Sequence, residues 1–259
     1  MNCIGFPGTL GAPWYDYIFT DRFSLPERLT PFYSERPLYM PHMAFPSDTT
    51  RLKAGAAPSR AACALPPRGF VFCCFNNAYK ILPEVFALWM RLLQAVPGSV
   101  LWLLDTSAEA KANLRRAAQG AGVDAQRLVF APVVAVGEHV ARHAAADLFV
   151  DTYPYGAHTT ANDALLAGLP VLTRVGETMV SRIAGAQLQA IGLPELITGS
   201  VAEYEALAVA LARQPGLLAQ YRARLAANRH THPLFDMTRY ARDFADAMER
   251  IWDEHCRRR

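Results

Sequence analysis

The chain has 259 residues, of which 52% are hydrophobic and 19% are charged, and its formal net charge is +3. This composition is typical of a globular protein with a sizeable core and excludes a disordered chain. The mild positive charge does not favour a nucleic-acid-binding protein, and no apolar run has the length that crossing a bilayer requires. We therefore expect neither nucleic acid nor a membrane as a partner.

The cysteines and the N-terminal residues predict a reducing compartment. None of the five cysteines forms a C-x-x-C motif, and no cysteine and histidine cluster has zinc-like spacing. The first residues lack the basic region and apolar stretch of a secretory signal. We expect a cytoplasmic protein that uses no metal.

Residues 1–67 differ in composition from the rest of the chain. They are rich in proline, glycine and aromatic residues, which predicts short strands and loops. Residues 47–69 are polar and rich in proline and alanine, and we predict a linker or a long surface loop there.

From Phe70 onward, apolar runs alternate with helical patterns. The predicted strands are residues 70–75, 100–104, 128–130, 148–150, 170–173 and 196–197. The predicted helices are residues 83–95, 107–121, 137–145, 160–167, 180–191, 201–214, 216–228 and 238–255. Continuous apolar strands that alternate with helices predict an α/β fold with a doubly wound parallel sheet. Such a sheet binds ligands beyond the carboxyl ends of its strands.

The loop after Val150 carries the strongest functional signal. A proline- and glycine-containing turn leads to His158, Thr159 and Thr160 at the start of a predicted helix. The first N–H groups of a helix have no intrahelical partner and carry partial positive charge, so they attract phosphate. The pattern predicts a diphosphate site that does not rely on a metal.

Asp163 has two interpretations. Thr160 and Asp163 have the spacing of a capping box, which would only stabilise the start of the helix. Alternatively, the carboxylate accepts a hydrogen bond from a ribose hydroxyl.

Two further loops hold candidate ligand-binding residues. After the strand that ends at Phe75, Lys80 could meet a diphosphate and Asn77 could donate to a phosphate oxygen, or these residues could form only an Asx turn and a solvated lysine. His139 and Arg142 share a helix face. They could flank a planar base or form the exposed side of an amphipathic helix.

Several segments together resemble one family, the protein O-linked N-acetylglucosamine transferases, which include the SPINDLY-like relatives of plants. The resembling segments are residues 5–9, 39–42, 75–80, 97–104, 138–140, 156–160, 176–178 and 181–182. The resemblance implies an inverting glycosyltransferase with the two-lobed GT-B fold. Residues 1–67 would be the end of the N-terminal lobe plus a linker, and residues 68–259 a Rossmann-like C-terminal lobe that binds the nucleotide sugar.

The resemblance implies roles around the diphosphate of a UDP-sugar. Lys80 and His158 would be the catalytic residues, with Lys80 stabilising the UDP that leaves. Asn77 would assist, and His158, Thr159 and Thr160 would hold the phosphates.

The resemblance also implies roles around the nucleoside. Asp163 would bind the ribose, and His139, Arg142 and the backbone near Val134 would frame the uracil. Val136 stands where the animal enzymes have a lysine.

Gly5 and Pro7 match the turn that approaches the sugar from the other lobe.

The implied reaction moves N-acetylglucosamine from UDP-GlcNAc to serine or threonine hydroxyls of an acceptor protein, with inversion and without a cofactor. Because a complete N-terminal lobe and tetratricopeptide repeats are not recognised, we expect a truncated form. The alternatives are an inert UDP-sugar-binding fragment and an O-fucosyltransferase that uses GDP-fucose, although the plant relatives with that activity carry threonine at the position of His158.

Overall fold

The computed structural model describes residues 1–51 and 57–257 and has two parallel sheets. The strands are β1 Tyr17–Asp21, β2 Arg36–Met40, β3 Val71–Cys74, β4 Val100–Leu104, β5 Leu128–Ala131, β6 Leu148–Val150, β7 Val171–Arg174 and β8 Ile197–Thr198. The helices are α1 Pro83–Ala95, α2 Ala108–Gly120, α3 Val136–Arg142, α4 Thr159–Leu166, α5 Ile183–Ala190, α6 Val201–Arg213, α7 Pro215–Asn228 and α8 Met237–Arg257.

The larger sheet has six strands in the order β5-β4-β3-β6-β7-β8, and every pairing in it is parallel. The chain builds outward from β3 in one direction and then returns to place β6 on the other side of β3. This reversal is the topological switch point of a doubly wound fold, where such sheets bind their ligands. The predicted fold class is confirmed.

The core explains why the strands read as unbroken apolar runs. All of β3 is buried, including the thiols of Cys73 and Cys74, because helices cover both faces of the sheet. Trp89 of α1 and Trp102 of β4 are among the largest fully buried side chains.

Proline and glycine signals in the sequence predict most helix ends correctly. Pro83 occupies the first turn of α1, where its missing N–H costs no hydrogen bond. Gly122 has φ +73 just beyond α2, a conformation that favours glycine. The predicted helix over 180–191 is split, because the side chains of Thr178 and Ser181 form a capping box around a separate short turn before α5 begins.

The smaller sheet pairs β1 with β2 and packs against α8. Phe19 and Met40 lie in this cluster with Tyr240 and Phe244 of α8, and the Phe19 and Phe244 rings meet edge to face at 5.4 Å. The long last helix therefore covers the N-terminal segment. The division of the chain at residue 67 remains a prediction.

The predicted linker over residues 47–69 is held to the body of the protein, and its residues 52–56 lie outside the described residues. Arg60 donates to the carbonyl oxygen of Gly69 at 2.8 Å and to the Asp147 carboxylate at 2.6 Å, and Leu65 is buried. Within the described residues, no helix has the length and apolar character needed to cross a bilayer.

Candidate functional site

The loops that follow β3 and β6 meet at the switch point of the large sheet. Lys80 Nζ donates to the carbonyl oxygen of Gly156 at 3.0 Å and lies 4.1 Å from the centre of the Tyr155 ring. Burial lowers the pKa of Lys80, and the negative charge of Asp151 opposes that shift. The lysine and the loop that leads to His158 are therefore in direct contact, as the sequence predicts.

Asp151, directly after β6, organises this loop. Its carboxylate accepts from the N–H groups of Thr152 and Ala157, both at 2.7 Å, and from the Thr173 hydroxyl at 2.8 Å. Burial raises its pKa to about 6, although these hydrogen bonds favour the ionised form. Sequence reasoning missed Asp151, and the available signal was an acidic residue at the end of an apolar strand.

Asn76 links the two loops. Its Nδ2 donates to Asp151 at 3.1 Å and to the Thr152 hydroxyl at 2.7 Å, and its Oδ1 accepts from the Thr160 hydroxyl in a short hydrogen bond. A hydroxyl has one proton to donate. The Thr160 side chain is thus committed to Asn76, and its backbone N–H is the donor left for a phosphate. Sequence reasoning chose the neighbouring Asn77 and missed Asn76.

Asn77 is exposed and caps a short turn. Its Oδ1 accepts from the N–H of Tyr79 at 3.4 Å, at the start of the turn Ala78–Lys80. This is the Asx turn that the sequence allowed. Its role toward a phosphate stays a prediction.

His158 lies at the cap position of α4. Its ring stacks on Tyr155, with ring centres 5.4 Å apart and an interplanar angle of 27°. Burial, followed by the charge of Lys80, lowers the pKa of His158 to about 4, so its imidazole is neutral at pH 7. Thr159 begins α4 and is exposed. Its hydroxyl is thus open to solvent beside the unpaired N–H groups of the helix start.

Asp163 does not form the capping box, because α4 begins at Thr159 with His158 at its cap position, so Thr160 already lies inside the helix. Its carboxylate accepts from Arg51 Nη2 at 2.9 Å. The Asp163 side chain is 2% exposed. Burial raises its pKa, and Arg51 opposes the rise.

His139 and Arg142 are packed inward, so they are not the exposed face of an amphipathic helix. Arg142 donates to the Pro132 carbonyl oxygen at 2.6 Å and lies 4.4 Å from the centre of the Phe75 ring. Its Nη2 is 2.5 Å from His139 Nδ1, which must accept because a guanidinium only donates. Burial and the charge of Arg142 lower the pKa of His139 to about 4.

A cavity of about 530 Å³ opens beside Arg142. Val134 and Arg142 line it, together with Trp102 in β4 and Phe130 in β5. Apolar walls with few polar groups suit a planar base. Val136, at the start of α3, is 52% exposed.

Gly5 and Pro7 belong to a turn at the other end of the chain. The Asn2 side chain closes this turn by donating to the carbonyl oxygens of Phe6 at 3.0 Å and Gly8 at 2.9 Å. The roles of Gly5 and Pro7 toward a sugar stay predictions.

Within residues 1–51 and 57–257, no group of three or more acidic, cysteine or histidine side chains could hold a metal ion.

Comparison with known proteins agrees with the fold and with the resemblance. The family model for glycosyl transferase family 41 matches residues 1–55 and 54–244. The probable UDP-N-acetylglucosamine–peptide N-acetylglucosaminyltransferase SEC of Arabidopsis thaliana is 37% identical in an alignment of 262 positions that covers 99% of this chain and 27% of SEC. The UDP-N-acetylglucosamine–peptide N-acetylglucosaminyltransferase of Caenorhabditis elegans is 38% identical over 197 residues, 76% of this chain and 17% of that protein.

Solved structures show the same architecture. A K341M mutant of the Thermobaculum terrenum O-GlcNAc transferase superposes with a TM-score of 0.88 at 29% identity, covering 98% of this chain and 48% of that one. The glycosyltransferase WaaG superposes with a TM-score of 0.63 at 15% identity, covering 92% of this chain and 64% of that one, which supports the fold alone. The large sheet is the Rossmann-like lobe of a GT-B fold. The chain belongs to glycosyltransferase family 41.

Proposed function

We propose that this chain provides the donor site of a protein O-GlcNAc transferase and binds UDP-GlcNAc at the switch point of its large sheet. The observation that carries the proposal is the contact of Lys80 Nζ with the Gly156 carbonyl oxygen at 3.0 Å, which places a cation beside the start of α4. The Arabidopsis and nematode relatives are named for transfer of N-acetylglucosamine from its UDP derivative to peptides.

The diphosphate would lie between Lys80 and the first turn of α4. The N–H groups of Thr159 and Thr160 are free at this helix start by the geometry of the α-helix. No acidic residue lies in this turn, so the start of α4 itself offers an anion N–H donors and partial positive charge. These groups would balance the diphosphate without a metal.

The reaction would be a single displacement. A serine or threonine hydroxyl of the acceptor forms a bond to the anomeric carbon from one face, while the bond from that carbon to the β-phosphate oxygen breaks on the other. The electron pair leaves with UDP, the anomeric configuration inverts, and the hydroxyl proton passes to a base for which we assign no residue. Negative charge grows on the departing phosphate, so Lys80 and the helix N–H groups stabilise the transition state more than the ground state.

His158 would act beside the diphosphate as a neutral hydrogen-bonding group. Burial and the charge of Lys80 lower its pKa to about 4, so the imidazole is neutral at pH 7 before the nucleotide binds. The positive charge at the phosphates is therefore supplied by Lys80 and by the helix start.

The nucleoside would extend from α4 toward α3. The base would enter the cavity beside Val134, with His139 and Arg142 at its edge, and the ribose would lie near Asp163. The matched relatives are much longer, since this chain covers 27% of SEC and 17% of the nematode protein. We propose that the regions of those longer proteins that lie outside the matched part contribute to acceptor binding.

Calorimetry with UDP and GDP tests the donor site. We expect UDP to bind more tightly than GDP, and K80A to lose roughly tenfold to a hundredfold in UDP affinity, as expected for loss of a charge-assisted hydrogen bond. H158A should also weaken binding. The controls are Arg91→Ala, at an exposed ion pair with Glu205, and His230→Ala, at an exposed position.

Unchanged UDP affinity in both K80A and H158A would contradict the site. Tighter binding of GDP would instead favour a GDP-sugar donor. Transfer of radiolabelled N-acetylglucosamine to a serine-containing peptide then separates an active transferase from an inert UDP-sugar-binding protein.

A further inference from the structure

Residues 45–51, in and beside the predicted linker, lie along the first half of α4. The ring of Phe45 is 6.1 Å from the His158 ring, centre to centre. The Ser47 hydroxyl accepts from Asn162 Nδ2 at 2.6 Å, and both side chains are buried. The segment therefore covers the helix whose start is the predicted phosphate site.

Arg51 extends this contact to the nucleoside end of the cleft. It ends the short turn Thr49–Arg51, which packs against α3 as well. Arg51 Nη2 bonds to Asp163 Oδ2 at 2.9 Å, and its positive charge contributes to the low pKa of His139. One guanidinium thus bonds to the proposed ribose residue on α4 and acts electrostatically on the proposed base residue on α3.

The burial of Asp163 makes this pairing consequential. A carboxylate that is 2% exposed is costly unless a cation or several donors compensate it. Arg51 bonds to one oxygen, and among the residues that the structure describes the other oxygen, Oδ1, has no hydrogen-bond partner. A buried acceptor without a donor is suited to a ligand hydroxyl.

We propose that Arg51 is a positioning residue of the donor site, whose ion pair holds the Asp163 carboxylate in place to accept a ribose hydroxyl. Residues 45–51 then form part of the wall of the nucleoside cleft. The inference rests on the proposed function, and it adds a residue and a segment to the predicted site.

Calorimetry with UDP and UMP tests this role, because both carry the ribose and only UDP carries the diphosphate. We expect R51A to weaken both nucleotides by a similar factor, roughly tenfold. K80A should weaken UDP more than UMP. Arg22→Ala is the matched control, because Arg22 forms an exposed ion pair with Glu27 in the same N-terminal region, and it should bind both nucleotides as the unaltered chain does.

A double-mutant cycle separates positioning from general support of the fold. If Arg51 acts through Asp163, the double variant R51A/D163N should bind UMP no more weakly than D163N alone. Losses that add in the double variant would overturn the proposal. R51Q keeps a hydrogen-bond donor but removes the charge, so it tests the proposal if R51A does not fold. We expect R51Q to lose affinity for UDP and for UMP by the same factor.

The outcomes distinguish this inference from the proposed function. If the unaltered chain binds no UDP, the proposed function fails and this inference fails with it. A second outcome is that UDP binds and K80A weakens the binding, while R51A and R51Q bind UDP and UMP at least as tightly as the unaltered chain. In that case only the role of Arg51 is overturned.

Discussion

Asn76 Nδ2 donates to the Asp151 carboxylate at 3.1 Å, across the boundary between β3 and β6, the neighbouring parallel strands from which the sheet extends to either side. This bond fixes which end of the amide faces the Thr160 hydroxyl. A buried polar bridge therefore sets the relative position of the loop that carries Lys80 and the loop that begins α4.

Asn76→Ala should weaken both stability and nucleotide binding. The substitution leaves the Thr160 hydroxyl and part of the Asp151 carboxylate without a buried partner, at a cost of about 1–3 kcal/mol. Urea denaturation measures the loss in the free energy of unfolding, and calorimetry measures the loss of UDP affinity. Asn77→Ala is the control, because Asn77 is exposed and should change stability much less. Equal stability of the two variants would contradict the bridge.

Gly156→Ala should disturb the same loop by steric contact. A Cβ at this position would lie 3.1 Å from Asp151 Oδ2 and 3.3 Å from the Val180 carbonyl oxygen, so neighbouring atoms must move. We expect a lower midpoint of thermal unfolding and weaker UDP binding. In Gly120→Ala, at the end of α2, the new methyl meets nothing within 4 Å, so the change should be neutral or stabilising by up to about 1 kcal/mol. A Gly156→Ala variant as stable as Gly120→Ala would show that the loop adapts.

Stability should fall as the pH is lowered from about 6.5 toward about 4. Burial is the main cause of the lowered pKa values of His139 and His158, about 4 each, and of His143, about 3. In this window the unfolded chain binds more protons at these residues, so each lowers stability by up to about 1.4 kcal/mol per pH unit. The raised pKa of Asp151, about 6, and the raised pKa values of Asp21 and Asp163 act in the opposite sense.

Denaturant unfolding at several pH values measures this slope. His143→Phe keeps an aromatic ring in the buried position and removes one of the three histidines. It should reduce the slope of the free energy of unfolding against pH below about pH 6.5. Asp151→Asn should steepen it, because the opposing carboxyl is lost. A slope that is unchanged in both variants would contradict the assignment of the pH dependence to these residues.

Arg60→Ala should loosen the predicted linker. Arg60 donates to Asp147 and to the carbonyl oxygens of Gly69 and Ala145, and without it Asp147 keeps only the Val71 N–H and Arg222. Because these contacts are partly exposed, we expect a loss of roughly 0.5–1.5 kcal/mol in the free energy of unfolding, and faster cleavage of residues 57–69 by a nonspecific protease. Arg68→Ala is the control, because Arg68 is exposed. Protease resistance equal to that of the control would show that other contacts hold the segment.

The regular part of the fold could be predicted from the sequence, since the strands around Cys73, Leu103 and Phe149 are unbroken apolar runs and the helices have local start and stop signals. The convergence of Lys80 with the loop before His158 could also be predicted, because parallel strands end at one edge of a sheet.

The polar network of the site could not be predicted. Nothing local tells which of two neighbouring asparagines turns inward, and the choice of Asn76 depends on Asp151, which is far away in sequence. Arg51 appeared to belong to a linker, because its partner Asp163 is equally remote. Such bonds are set by tertiary packing, which a single sequence does not display.

The packing of α8 on β1 and β2 joins the two ends of the chain into one cooperative unit. Phe19 precedes all strands of the large sheet in the sequence and Tyr240 follows them, yet the two side chains pack in one hydrophobic cluster. Deleting the final helix would thus expose apolar side chains near the start of the chain. Fusions or truncations designed at one terminus should be judged by their effect on the other.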